Sequence, residues 1–119
     1  MSFDFDNCYW HDSILKSIYI DRSNPGYMDT IEMNIDWYDR PESKIIFKGV
    51  YLFKARMNFG IIAAESILNA EILPSDDPDL VDFYNKTKKN YTELNGYLIE
   101  TNSTGGIMKI IAETVEEVS

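Results

Sequence analysis

Apolar and polar positions alternate most cleanly between Thr30 and Tyr38, where Ile31, Met33, Ile35 and Trp37 interleave with Thr30, Glu32, Asn34, Asp36 and Tyr38. Successive side chains on a strand point to opposite faces, so this stretch predicts a strand with one face in a core and one in water. The stretch Ile14 to Asp21 puts Ile14, Ile18 and Ile20 on one face and Leu15, Ser17, Tyr19 and Asp21 on the other. Apolar content on both faces predicts a strand inside the sheet. A third, longer strand is expected from Lys44 to about Met57, with Ile45, Phe47, Tyr51, Phe53, Ala55 and Met57 on one face. Gly49 interrupts that face, as at a bulge or a close backbone approach.

Turn chemistry separates these segments. Asp21-Arg22-Ser23-Asn24-Pro25-Gly26 combines a fixed φ at Pro25 with permitted positive φ at Gly26, and Tyr38-Asp39-Arg40-Pro41-Glu42-Ser43 closes a second hairpin. Beyond Asn58-Phe59-Gly60, residues 61 to 73 fit two patterns. Ile61, Ala64, Leu68 and Ile72 make a helical stripe, whereas a fourth strand from about Ser66 to Leu73 would continue the meander; the reading leans to the strand. A helix is expected from Pro78 to about Tyr91, N-capped by Asp77, with Asp79 and Asp82 early and Lys86, Lys88 and Lys89 late. Its inward stripe would be Leu80, Val81, Tyr84, Thr87, Lys88 and Tyr91. Asn95 to Thr101 and Ile107 to Thr114 form a hairpin around Asn102-Ser103-Thr104-Gly105-Gly106, and Glu113, Glu116 and Glu117 mark a fraying acidic end. The expected architecture is α+β: an antiparallel sheet of five to six strands, meander plus C-terminal hairpin, covered by one helix near residues 78–91.

At 119 residues the sequence reads as a single domain, 1–119, large enough to bury a core without metals or disulfides. Its 45% hydrophobic content argues against disorder. The single cysteine, Cys8, precludes an intrachain disulfide. The start Met1-Ser2-Phe3-Asp4-Phe5-Asp6 has neither the basic region nor the apolar run of a signal peptide, and no membrane-length apolar stretch occurs, so a reducing, cytoplasmic setting is expected.

Net charge is −9, unevenly spread: nine acids and three bases in residues 1–42, four bases and no acid in 43–64, eleven acids and four bases in 65–119. Such a field disfavours nucleic acid and anionic membrane and steers basic partners inward. Lys44, Lys48, Lys54 and Arg56 are read as cross-strand partners of Glu32 and Asp36 rather than as a phosphate site, since no glycine-rich loop accompanies them. The small, polar 102–106 loop is read as a turn needing positive φ rather than an anion nest.

Chemistry-bearing residues are few. One histidine and one cysteine leave no His/Cys zinc site, so no metal and no cofactor is expected. Asp4, Asp6, Asn7 and Asp12 briefly suggest a calcium loop, but Tyr9 stands where its glycine belongs and Leu15 where its glutamate belongs. Phe3, Phe5 and Tyr9 in this lead-in are expected to pack inward. Cys8 reads as a packed thiol rather than a nucleophile. The remaining cluster is Trp10-His11-Asp12-Ser13, which feeds directly into the first strand. His11 and Asp12 would point apart on an extended chain unless a turn joins them, while Ser13 shares the side of His11. The preferred assignment is structural, with Asp12 or Ser13 bonding turn amides and His11 satisfying a buried carbonyl. No residue is assigned a catalytic role.

The Trp10-His11-Asp12-Ser13 tetrad leading into Ile14, Ile18 and Ile20, followed by an alternating strand and Ile45-Ile46-Phe47-Lys48-Gly49-Val50, resembles a diffuse group of small bacterial β-rich proteins that includes some immunity proteins of polymorphic toxin systems. The resemblance covers about the first half of the chain. It implies a non-enzymatic protein that binds and neutralises a basic toxin. The expected binding residues are therefore Trp10, His11, Asp12, Ser13, Trp37 and Tyr38, with the exposed acids around them. Two other readings stand beside this one: a small hydrolase or isomerase using His11, and a structural or regulatory domain that self-associates through a strand edge as a homo-oligomer.

Overall fold

The computed structural model describes residues 3–87 and 94–119. Six strands form one antiparallel sheet: β1 (Ile14–Asp21), β2 (Thr30–Asp36), β3 (Ser43–Arg56), β4 (Ile67–Ile72), β5 (Asn95–Thr101) and β6 (Ile107–Val118), in the spatial order β1-β2-β3-β6-β5-β4. With the one helix, α1 (Pro78–Thr87), the class is α+β and mostly sheet. The helical alternative for residues 61–73 gives way to strand β4.

The first three strands run as a meander and β5–β6 is a hairpin. β4, however, pairs with β5 at the far side of the sheet rather than with β3. That places β1 and β4 at the two ends of the strand order, which corrects the expectation of an interior β1. The two ends then meet. Ile67 N donates to Ser13 O at 2.7 Å, Asp12 N to Ile67 O at 2.9 Å and Leu15 N to Glu65 O at 2.9 Å, and Ile14 bridges Ser66. The sheet thereby curls into a barrel sealed at one end, and its concave face becomes the core.

Alternation places Ile31, Met33, Ile35 and Trp37 in that core, each no more than 4% exposed. Ile45, Phe47, Tyr97, Ile99, Met108 and Ile110 join them from the other strands. The interruption expected at Gly49 is present: its φ is +64°, and the β3–β6 register slips between Val50 and Leu52. Past the slip, Val50 and Phe53 face the main core while Leu52 faces the other side of the sheet.

What fills the mouth of the barrel is the chain's beginning. Phe5 is 1% exposed and packs against Trp10, Phe47 and Tyr97 at ring separations of 4.7, 6.3 and 5.0 Å. Phe3 stands edge-on to both Phe5 and Trp10. The expected inward packing holds for these two rings; Tyr9 instead lies on the surface.

α1 does not roof the main core. It covers a separate small cluster of Leu80, Leu94 and Ile111, flanked by Leu52, Phe83 and Tyr84, on the convex side. Asp77 caps it as expected, accepting from Asp79 N and Leu80 N, and the early acid Asp79 and late base Lys86 match the macrodipole. Val81 is exposed, and Phe83 packs in its stead. Lys88, Lys89 and Tyr91 lie outside the described residues. Two salt bridges from Lys109, to Asp77 at 2.8 Å and Asp79 at 2.7 Å, pin the first turn to β6, and Lys54 adds a third at 3.0 Å.

The acidic end is not frayed. β6 continues to Val118 along β3, where Glu116 pairs with Lys48 at 2.7 Å and Glu117 with Arg40. Of the four β3 cations, only Lys44 finds its partner on β2, Glu32 at 3.7 Å. The 102–106 loop is tied both to itself and to its neighbours: Gly106 N donates to Thr101 Oγ1, whose hydroxyl also contacts that of Thr104 at 3.0 Å, while Asn102 N donates to Ser66 O and Asn58 Nδ2 to Thr104 O.

Candidate functional site

The tetrad sits where the N-terminal plug meets the barrel seam. Its backbone makes a turn, with Asp12 in the left-handed region at φ 66°, a conformation that a short polar side chain tolerates. Trp10 is 4% exposed and donates its Nε1–H to Phe5 O at 2.7 Å, so the plug is tied to the ring that anchors it. Ser13 is fully buried. Its hydroxyl donates to Tyr9 O at 2.9 Å and accepts from Tyr38 N at 3.0 Å, clipping the segment before β1 to the end of β2.

His11 points elsewhere. Its Nδ1 lies 3.0 Å from Leu68 O, and because a carbonyl only accepts, Nδ1 carries the hydrogen. The turn does bring His11 and Asp12 together, with Nε2 3.6 Å from Oδ1 and both side chains about half exposed. Asp6 makes a comparable contact further along β4, accepting from Ile72 N at 3.2 Å. His11 and Asp6 thus engage two backbone groups of the edge strand β4, Leu68 O and Ile72 N. Imidazole and Ser13 hydroxyl serve different partners, so they form no nucleophile–base pair.

Of the three aromatics expected to meet a partner, Trp10 and Trp37 are buried at 4% exposure and only Tyr38, at 67%, is exposed. Trp37 packs tilted against Trp10 at 4.8 Å, donates to Ser43 Oγ at 2.8 Å, and carries the Arg40 guanidinium 4.2 Å above its ring. Ser43 in turn donates to Glu117 Oε2 at 2.5 Å, and Arg40 binds the same oxygen. Burial pushes the Glu117 carboxyl up, but the Ser43 and Arg40 contacts outweigh it and hold the group below the usual carboxylate range. Cys8 lies at the end of this chain, 3.8 Å from Arg40 Nη2, with its thiol pushed up chiefly by burial. A thiol raised in this way is a poor nucleophile.

Above this network the surface is aromatic and acidic. The rings of Tyr9 (48% exposed) and Tyr38 lie 5.4 Å apart, tilted by 34°. Beside them opens a shallow cavity of ≈ 410 Å³ lined by Phe3, Asp4, Asn7, Cys8, Tyr9, Asp39, Arg40 and Glu117. Sequence reasoning identified Tyr38 but gave Tyr9 an inward role and did not place Arg40 or Glu117. The pairing of Tyr9 with Tyr38 across 29 positions follows from the Ser13 clip, which no local pattern encodes.

Among the described residues no group of three or more His, Cys, Asp or Glu side chains is arranged to hold a metal ion, and no helix is long and apolar enough to cross a membrane. Compared with protein-family models, curated proteins and solved structures, the chain gives no match.

Proposed function

We propose that this chain is a non-enzymatic, acidic protein-binding module that acts in the cytoplasm on a basic protein partner, and that the partner is a toxin, in keeping with the resemblance of its first half to immunity proteins. The observation that carries the reading is the solvent-facing pair Tyr9–Tyr38, its rings tilted against each other, beside a cavity edged by Asp4 and Asp39. Tyrosine is enriched at the energetic centre of interfaces because its ring offers large area at small entropic cost, and surrounding acids orient a cationic partner. Rigidity adds to this. Both tyrosines are held from below, Tyr9 by its carbonyl and Tyr38 by its amide, on the one buried hydroxyl of Ser13. The net charge of −9 accelerates encounter with a basic surface. Trp10, Ser13 and Trp37 serve the interface as its foundation, while Tyr38 meets the partner directly.

The test is affinity capture from the native host with wild-type protein and a Tyr9→Ala/Tyr38→Ala double variant, followed by mass spectrometry and a binding titration. A basic protein held by the wild type and bound at least about tenfold more weakly by the variant supports the reading, since interface anchors cost about 2 kcal/mol or more when truncated. Equal affinity for both forms, or a captured partner that is itself acidic, overturns it.

A further inference from the structure

We propose that Tyr9 and Tyr38 form an oxidative cross-linking site, at which a peroxide acting through a haem peroxidase joins the two phenols by a carbon–carbon bond. The inference goes beyond the partner-binding reading and needs no partner. Two conditions govern such a coupling: the oxidant must reach both phenols, and the two radicals must meet before either is quenched. The site satisfies both. Tyr9 is 48% and Tyr38 67% exposed, and their ring centroids stand 5.4 Å apart with the planes inclined by only 34°.

What keeps the rings together is the backbone beneath them. The Ser13 hydroxyl donates to Tyr9 O at 2.9 Å and accepts from Tyr38 N at 3.0 Å, so one buried oxygen holds residues 29 positions apart. Their buried neighbours Trp10 and Trp37 are themselves tied down, to Phe5 O and Ser43 Oγ. The phenols face water and swing between rotamers in picoseconds to nanoseconds, which brings their ring carbons into contact. Holding two reactants in this way turns a bimolecular encounter into a unimolecular one. At micromolar protein, an effective concentration on the order of millimolar favours the internal bond over one between chains by about a thousandfold. Tyr27 and Tyr19, at 90% and 61% exposure, lie against no second ring among the described residues, so they couple only between chains.

The step balances. Each phenol gives one electron to the oxidised haem and its hydroxyl proton to water, leaving a radical whose unpaired electron is shared with the ring carbons ortho to oxygen. One such carbon from each ring bonds to the other. Each then passes its hydrogen to its own ring oxygen, which restores both phenols and both aromatic rings. The peroxide takes up the two electrons and two protons and leaves as two waters, so the chain loses two hydrogen atoms in all. Because the new bond joins carbons, the thiol exchange that opens a disulfide finds no sulfur to attack.

Treating the chain with hydrogen peroxide and a haem peroxidase at two micromolar concentrations, about tenfold apart, tests this, with N-acetyltyrosinamide coupled in parallel to show that the oxidant works. Expected is a monomer lighter by two hydrogens, with dityrosine fluorescence, formed in the same fraction at both concentrations; on digestion the peptides carrying Tyr9 and Tyr38 are joined. The cross-linked monomer melts at a higher temperature than the untreated chain, because the bond restricts the unfolded state. Tyr38→Phe keeps the ring but has no phenol to oxidise, and it abolishes the product with an unchanged circular dichroism spectrum. No cross-linked monomer under conditions that couple N-acetyltyrosinamide overturns the proposal, as does a cross-link that maps to another pair, survives Tyr38→Phe or appears only in dimers.

Discussion

Replacing Ser13 by alanine deletes one oxygen from a site with no solvent exposure and should cost about 2 kcal/mol of stability, a large fraction of what a domain of this size possesses. The figure follows from what the hydroxyl leaves behind. Tyr38 N–H is partly buried and loses its acceptor at 3.0 Å, which costs about 1–3 kcal/mol when no replacement is at hand. Tyr9 O loses a donor at 2.9 Å in a bond that is likewise partly buried, but a carbonyl with a second lone pair is the cheaper of the two groups to leave short of a partner. The vacated volume is smaller than a methyl group and adds little. For a chain of 119 residues about 2 kcal/mol lowers the melting temperature by roughly 6–12 °C, measurable by calorimetry and by the urea midpoint at constant m-value. The same variant loosens the Tyr9–Tyr38 pair, so partner binding weakens although neither ring has changed. A loss below about 0.5 kcal/mol would refute the clip, because a partly buried amide stripped of its acceptor cannot be that cheap.

Two further outcomes follow from the geometry. Gly49→Ala is expected to destabilise by about 1–2 kcal/mol in chemical denaturation, because φ is +64° and the added Cβ would stand 2.7 Å from Glu113 Oε1; adding Glu113→Ala should recover only the steric part. Glu117 sits below its ordinary value of 4.5, so its contribution is fully present above that pH and is lost as pH falls through the lower folded value. Melting curves should therefore show wild-type stability declining below about pH 4.5, with Glu117→Gln less stable at neutral pH and flatter in acid; an unchanged acid slope would remove Glu117 from the account.

The strands were legible because their signals are local. Alternation from Ile31 to Trp37 gave β2 its core face, and Gly49 marked the bulge that re-aims the second half of β3. The cap of α1 was equally plain in Asp77-Pro78. What the helix covers was not, since Leu80 and Phe83 suit either side of a sheet and only the closure of the barrel decides which side remains free. The acidic terminus was misjudged for a related reason. Glu116 and Glu117 suggest a solvated tail until Lys48 and Arg40, far away in sequence, turn out to face them. At the tetrad, sequence found a structural role for Ser13 as acceptor of an amide and a carbonyl partner for His11, but that carbonyl lies on the exposed β4 edge and not in a buried site. It missed Tyr9 as an exposed ring, because that position depends on a hydroxyl clip to Tyr38.

The bonds between Asp12–Leu15 and Glu65–Ile67 join stretches more than fifty positions apart, with three strands and two hairpins between them. Such a closure can form only after most of the intervening chain has found its place, which makes it a late event in folding and the meander that precedes it an early one. Pulse-labelled amide exchange during refolding should accordingly protect Met33 and Ile45 well before Asp12 and Ile67. A newly made chain would pass through an interval in which both strands flanking the gap are bare, the moment when wrong pairings between neighbouring molecules are most costly.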